Sequence, residues 1–273
     1  MRIRLTTAAL ITICALVARA TGAGDEAPTI PELPADDWLA HFKEAEEAAT
    51  SLRGTATMKA YGATEGTFNA AFAYAPPERA RLEISTPLTG TLLILTARGA
   101  DVLLYYPADN VAVVGADADA VFGGTLGGGN LFQLVDWLAG RPPRYQAELE
   151  AGEMTIAAEP LGDGRVTFTW RWASDGARLQ QITVEAETYR LLGARLYEGE
   201  EAVFDATYED WRAVGEATMP YAVTFKAEDS VVEIAANKLE VNVPIDDAAF
   251  STEPPAGAVI RDTWPPEAEY YDE

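Results

Sequence analysis

The chain has 273 residues, 48% of them hydrophobic, and carries 43 acidic against 20 basic residues, for a net charge of −23. That is enough apolar material for a sizeable core, in one large β domain or two ordinary ones. A polyanion of this kind repels nucleic-acid phosphate and gains nothing from an anionic membrane surface, so nucleic-acid binding is excluded.

The N-terminus opens with MRIR, a short positive segment, followed by LTTAALITICALVA, an apolar stretch of signal-peptide rather than membrane-spanning length. Small residues at Ala18 and Ala20 suit cleavage, so residues 1–20 read as a signal peptide and the protein as exported. The single cysteine, Cys14, is the candidate lipidation site. However, Ile13 stands where a lipoprotein signal places a small residue, and cleavage after Ala20 would remove the thiol altogether. A mature chain without cysteine has no disulfide, thiol catalysis or cysteine metal site.

Residues 21–35 form a Pro- and acid-rich spacer, which reads as a flexible lead-in. A helix is predicted from Trp38 to Leu52, capped by Asp36 or Asp37, with Trp38, Phe42, Ala45, Ala49 and Leu52 at helical spacing. From there the pattern turns to period two. In VTFTWRW, Val166, Phe168, Trp170 and Trp172 face one way and Thr167, Thr169 and Arg171 the other. TFNAAFAYA, RLQQITVEAE, AVFDATYEDW, YAVTFKAE and VVEIAANKLEVNV read as further strands with turn signals between them. Successive strands on short turns imply an antiparallel meander.

One helical stretch interrupts it. In GGTLGGGNLFQLVDWLAGRPP, the glycines form a lead-in, Asn130 can cap, and Leu131, Leu134, Val135 and Leu138 make an apolar stripe. Gly140 and the pair Pro142-Pro143 stop it. The domain is drawn over residues 36–257, with residues 258–273 as an acidic, Pro-rich tail. The fold class expected is mainly β: an unclosed antiparallel half-barrel whose concave apolar face is covered by amphipathic helices.

Two segments, FAYAPPERARLEISTPLTG (72–90) and LFQLVDWLAGRPP (131–143), occur in the order found in the LolB outer-membrane lipoprotein receptors. ATMPYAVTFKAED and LEVNVPIDDAAFSTEPPAG are similar to the ends of LolA- and LolB-type chains. The chain thus resembles the LolA/LolB lipoprotein-localisation superfamily from about Leu52 to Gly257. The resemblance implies an unclosed β-barrel whose apolar interior receives lipoprotein acyl chains. It also implies that the leucine in the Pro87-Leu88-Thr89-Gly90 turn projects into solvent and helps pass cargo into the outer membrane. Taken alone, an exposed leucine needs no such explanation. The chain differs from the pattern in its poor lipidation signal, its extra segments, and Thr89, which separates Leu88 from Gly90.

No enzyme signature is present. His41 is the only histidine, which rules out a histidine triad and a histidine-based metal site. GGTLGGGN has no lysine at phosphate-loop spacing. No cofactor or metal is implied. Binding a lipid needs only shaped apolar area, at about 0.8 kcal/mol per buried methylene. The candidate lining is Phe68, Phe72, Leu82, Ile84, Leu93, Leu103, Phe168, Trp170 and Phe225, with Leu134 and Trp137 from the inserted helix. Arg79 and Arg81 are candidates either for headgroup contact or for pairing with acids. The partners expected are lipoprotein acyl chains or phospholipid, the inner leaflet of the outer membrane and a LolA-type carrier in the periplasm. The competing readings are a non-enzymatic envelope sensor with a filled core and a closed small-ligand barrel.

Overall fold

The computed structural model describes residues 40, 44, 48–62, 65–75, 78–115, 131–143, 145–227 and 230–261. The signal peptide with Cys14, the spacer, His41, the glycine-rich lead-in with Asn130 and residues 262–273 lie outside these. Ala40, Glu44 and Ala48 are helical, as the spacing predicts. Leu52 is not part of that helix. It opens β1 (Leu52–Tyr61) and is buried there, because it pairs with Val241 on a distant strand and Tyr74 on the next one.

Turn-linked strands follow: β2 (Gly66–Ala75), β3 (Arg79–Thr86), β4 (Gly90–Arg98), β5 (Asp101–Tyr106) and β6 (Val111–Val114). Two helices come next, α1 (Leu131–Leu138) and the five-residue α2 (Gln146–Glu150), which the sequence pattern does not announce. A second run comprises β7 (Met154–Pro160), β8 (Arg165–Trp172), β9 (Arg178–Glu185), β10 (Leu191–Glu198), β11 (Glu201–Val214), β12 (Ala217–Ala227) and β13 (Ser230–Val241). With a last strand, β14 (Val259–Arg261), these strands form one 14-stranded sheet in the order β14-β6-β5-β4-β3-β2-β1-β13-β12-β11-β10-β9-β8-β7. Two antiparallel meanders therefore grow away from a central seam between β1 and β13. The outermost strands do not pair with each other, so the sheet is open, as expected.

The sheet continues beyond Gly257. Val259–Arg261 form β14, which pairs parallel with β6. To reach that edge from β13 the chain crosses the sheet on a strap. The strap's 3-10 turn, Asp247–Phe250, rests against β3 and β4, with Phe250 fully buried. Asp246 caps the turn by accepting from the Ala248 N–H at 3.0 Å. Arg79 pairs with Asp247, and its guanidinium lies 5.6 Å from the centroid of the Phe250 ring.

Period two assigns the faces. One row of the inner face runs Val113, Leu104, Leu95, Leu82 and Phe72 across β6 to β2. Another runs Phe168, Ile182, Ala194, Ala206, Phe225 and Val232 across β8 to β13. The sheet must curl to close on them. The eight residues of α1 span about 12 Å. They touch β3 and β4, while the Trp137 ring meets Phe204 of β11 at 5.1 Å. Along the sheet β3 and β11 are about 24 Å apart. Only a wrapped sheet brings both to one short helix.

Tyr208 lies fully buried on this inner face, and its hydroxyl has no hydrogen-bond partner among the described residues. Burial disfavours the phenolate and raises its pKa well above the ordinary value of 10. Below about pH 10 both folded and unfolded chains hold this proton; above it the unfolded chain releases it first, so stability falls as pH rises. Tyr208→Phe is expected to gain about 1 kcal/mol at neutral pH, because an orphaned hydroxyl is removed. It is also expected to shrink the loss between neutral pH and about pH 11. Urea melts of both chains at the two pH values check this, and a variant less stable than the parent at neutral pH would show that the hydroxyl has a partner.

Candidate functional site

The inner face grades from exposed to buried along β2, β3 and β4. At the tip of the β3–β4 hairpin, Leu88 is 96% exposed. The turn holds it stiffly. Pro87 fixes its own φ, and Gly90 adopts φ +77°, a conformation that costs glycine little. The Thr86 hydroxyl accepts from the Thr89 N–H at 3.0 Å and lies 2.6 Å from the Thr89 hydroxyl. Thr89, a departure from the LolB pattern, thus helps close the turn.

Just inside the tip, Phe68, Ile84 and Leu93 share the inner face and are half-buried. Deeper still, Phe72, Leu82 and Leu95 are buried. In the other half of the sheet Phe168, Trp170 and Phe225 are buried. No Asp, Glu, Lys, Arg or His is among the described buried residues. The one buried amide of this face, Gln180, donates from Nε2 to the Pro143 carbonyl at 3.0 Å.

α1 sits in this hollow. Val135 and Trp137 are buried, and Phe132 and Leu138 pack against the core. Trp137 stacks edge-on with Phe204, and Phe204 meets Phe225 at 5.5 Å. The helix ends where expected. Gly140 takes φ +72° and donates to Trp137 O, and Arg141 N donates to Asp136 O. A Cβ on Gly140 would lie 2.7 Å from the Trp211 ring, so only glycine allows this close seat. The Arg141 side chain then donates to Ala49 O at 2.7 Å, fastening the exit of α1 to the segment before β1.

Helix and sheet leave an apolar void of about 20 Å³, lined by Leu52, Ala56, Phe72, Leu138, Met219 and Ile234 among others. That is room for about one water, whereas ligand pockets run to roughly 300–1,000 Å³. At this void, between α1 and the sheet, a chain-like ligand has no room among the described residues.

Leu103 does not belong to the lining. It pairs with Thr96, and its neighbours Val102 and Leu104 face inward, so it points to the outer side. The continuous apolar run of β5 carries no alternation from which the sequence could assign its face. Arg79 and Arg81 are on that outer side too. Both answer to acids and to the strap: Arg79 to Asp247, Arg81 to Glu83 at 3.4 Å and to the Ala249 carbonyl at 3.5 Å. Leu134 lies on α1, whose placement is described without that side chain. Sequence reasoning passed over Phe204 and Met219, whose strands alternate less cleanly than β8. Among the described residues no group of His, Cys, Asp and Glu could hold a metal ion, and no helix is long and apolar enough to cross a membrane.

Removing the Trp137 ring should leave a large apolar void. Trp137→Ala is expected to cost about 3–5 kcal/mol in a denaturant melt and to raise the binding of a hydrophobic dye by the folded protein. A loss below about 1 kcal/mol would mean that α1 contributes little to the core.

No family model matches the chain, and no curated protein matches it. Solved structures do. A LolA superfamily protein from Nitrosomonas europaea superposes with a TM-score of 0.51 at 11% identity, covering 78% of this chain and 96% of that one. An outer-membrane lipoprotein-sorting protein domain from Vibrio parahaemolyticus gives a TM-score of 0.53 at 13% identity, covering 79% and 95%. A DUF1329 family protein from Desulfovibrio piger gives 0.53 at 14% identity, again covering 79% and 95%. At these identities the likeness establishes architecture alone: the chain shares the fold of these proteins, one of them of the LolA superfamily that the sequence resembles.

Proposed function

We propose that this protein takes up the acyl chains of a lipoprotein, or of another lipid, on its inner face and delivers them towards the outer membrane without nucleotide hydrolysis. The observation that carries the reading is the burial gradient from a fully exposed leucine, through half-buried Phe68, Ile84 and Leu93, to an uncharged apolar floor. That gradient is an uncharged apolar surface leading from solvent towards the core, which suits an alkyl chain. The fold shared with a lipoprotein-sorting domain supports the same reading. In this reading the protein is exported and works in the periplasm or on the periplasmic face of the outer membrane, with a LolA-type carrier as donor. Leu88 is the residue that probes the bilayer.

A ligand must displace α1, and the magnitudes say which ligands can. Exposing Phe132, Val135, Trp137 and Leu138 costs about 2 kcal/mol each, on the order of 8 kcal/mol together. At about 0.8 kcal/mol per methylene, roughly ten buried methylenes offset that. Long acyl chains meet this threshold and short ones do not. Palmitoyl-bearing ligands are expected to bind and to shift Trp137 emission, while octanoyl analogues leave it unchanged. Equal responses would mean that the ligand binds elsewhere.

The filled interior favours a second reading, an envelope sensor or interaction module on the same fold, and one experiment separates the two. Protein exported to a Gram-negative periplasm is purified and analysed by native mass spectrometry with lipid extraction, beside Leu88→Glu. Co-purified lipoprotein or phospholipid in both, with transfer to vesicles lost only in the variant, is the expected result. A wild-type protein that is empty and takes up no lipoprotein from a donor supports the sensor instead.

A further inference from the structure

Among the buried polar side chains, Thr96, Thr167 and Thr169 lie on the outer side of the sheet, and Gln180 of β9 lies on the inner. Gln180 is 0% exposed. It sits between Trp170 of β8 and Leu196 of β10, both on the inner face. Its Nε2 donates to the Pro143 carbonyl at 3.0 Å. Its Oε1 is shut off from solvent and has no hydrogen-bond partner among the described residues. The bond to Pro143 sets which way the amide points, because the reverse orientation would bring two acceptors face to face. What is left over is therefore an acceptor in need of a donor. Leaving it so destabilises the fold, and an apolar side chain of similar length would avoid the cost. Groups of this kind are few in natural proteins, and each calls for a physical reason.

Its position supplies one. Leu196 pairs in turn with Phe204 of β11, whose ring meets Trp137. Gln180 and Phe204 thus lie on one row, two strand spacings or about 10 Å apart. The carbonyl that occupies Nε2 belongs to the segment leaving α1 after Gly140. A ligand that displaces α1 together with this segment breaks the one bond Gln180 makes. The side chain then presents a donor and an acceptor, side by side, to the vacated seat. The other orphaned polar atom of this face, the Tyr208 hydroxyl, lies four residues along β11 from Phe204, about 13 Å away. As a hydroxyl it donates to any carbonyl and cannot tell one acyl linkage from another.

We infer that Gln180 is a specificity residue that pairs with a secondary amide at the head of the ligand's alkyl chain. The inference rests on the carrier reading and names the class of lipid: one whose acyl chain is joined through an amide rather than an ester. A secondary amide supplies both halves of the match, its N–H to Oε1 and its carbonyl to Nε2. An ester carries acceptors only. It can take the Nε2 proton, but it leaves Oε1 unpartnered beside a further oxygen. A site built to bond an N–H rejects the analogue without it for this reason.

The test titrates the exported, purified protein with N-palmitoylethanolamine and with ethylene glycol monopalmitate, neutral molecules that differ only in an N–H against an oxygen. Tryptophan emission reports binding. The parent is expected to bind the amide about tenfold more tightly than the ester, the difference that one unpaired buried acceptor makes. Gln180→Met, which keeps the length of the side chain and removes both polar atoms, should bind the two within about twofold of each other. Tyr208→Phe should keep the tenfold preference. Melting curves confirm that each variant is folded, and the comparison within the parent needs no variant at all. Equal binding of amide and ester by the parent overturns the role of Gln180 and leaves the carrier standing. A preference that survives in Gln180→Met, or is lost in Tyr208→Phe, overturns it as well. Failure of the parent to bind either ligand sinks the carrier reading, and the amide preference falls with it.

Discussion

An open sheet of fourteen strands with an apolar inner face cannot leave that face in water, and the rest of this structure follows from how it is covered. Rows such as Val113 to Phe72 and Phe168 to Val232 present large apolar area with no charge among it. The sheet answers by curling until both limbs meet one short helix. Trp137 is the hinge pin of this arrangement, since its ring reaches Phe204 on the far limb while its helix leans on β3 and β4. The cover is a separate segment rather than a second sheet, and the proposed carrier function requires it to yield to another apolar object of sufficient length. A filled interior and a lipid carrier are compatible on those terms.

The outer side obeys a different logic. The strap carrying Phe250 lets the chain reach the β6 edge, where β14 adds in parallel. Burial of Phe250 contributes about 2–3 kcal/mol, more than the exposed Arg98–Asp247 pair at 3.8 Å offers. The two outer edges are blunted in the manner of natural sheets: β14 has three residues and ends in Arg261, and β7 ends in Glu159 and Pro160. Edge pairing with a second chain is disfavoured.

The β3–β4 turn, at the end of the sheet that carries Leu88, is stiff and itself uncharged. Proline, a threonine hydroxyl and a left-handed glycine hold the hairpin tip, so a leucine there loses little freedom on touching another phase. A chain this acidic is not drawn to an anionic surface by its charge.

Local pattern by itself determined the parts whose signal is periodic or steric. Strict alternation in VTFTWRW put Phe168 and Trp170 on one buried face. Gly140 marked the end of α1, and a proline-to-glycine turn marked the projecting Leu88. Tertiary structure decided what pattern leaves degenerate. Leu52 fits both a helical and a strand spacing, and its pairing with Val241 chose the strand. Leu103 sits in an apolar run without alternation, and the register of β5 on β4 turned it outward. Arg79 and Arg81 could have met a headgroup, but a strap arriving from about 170 positions later in the chain brought Asp247 and Ala249 to them. Spacing fixes which side chains share a face; which face is inside, and what covers it, depends on contacts between residues far apart in the chain.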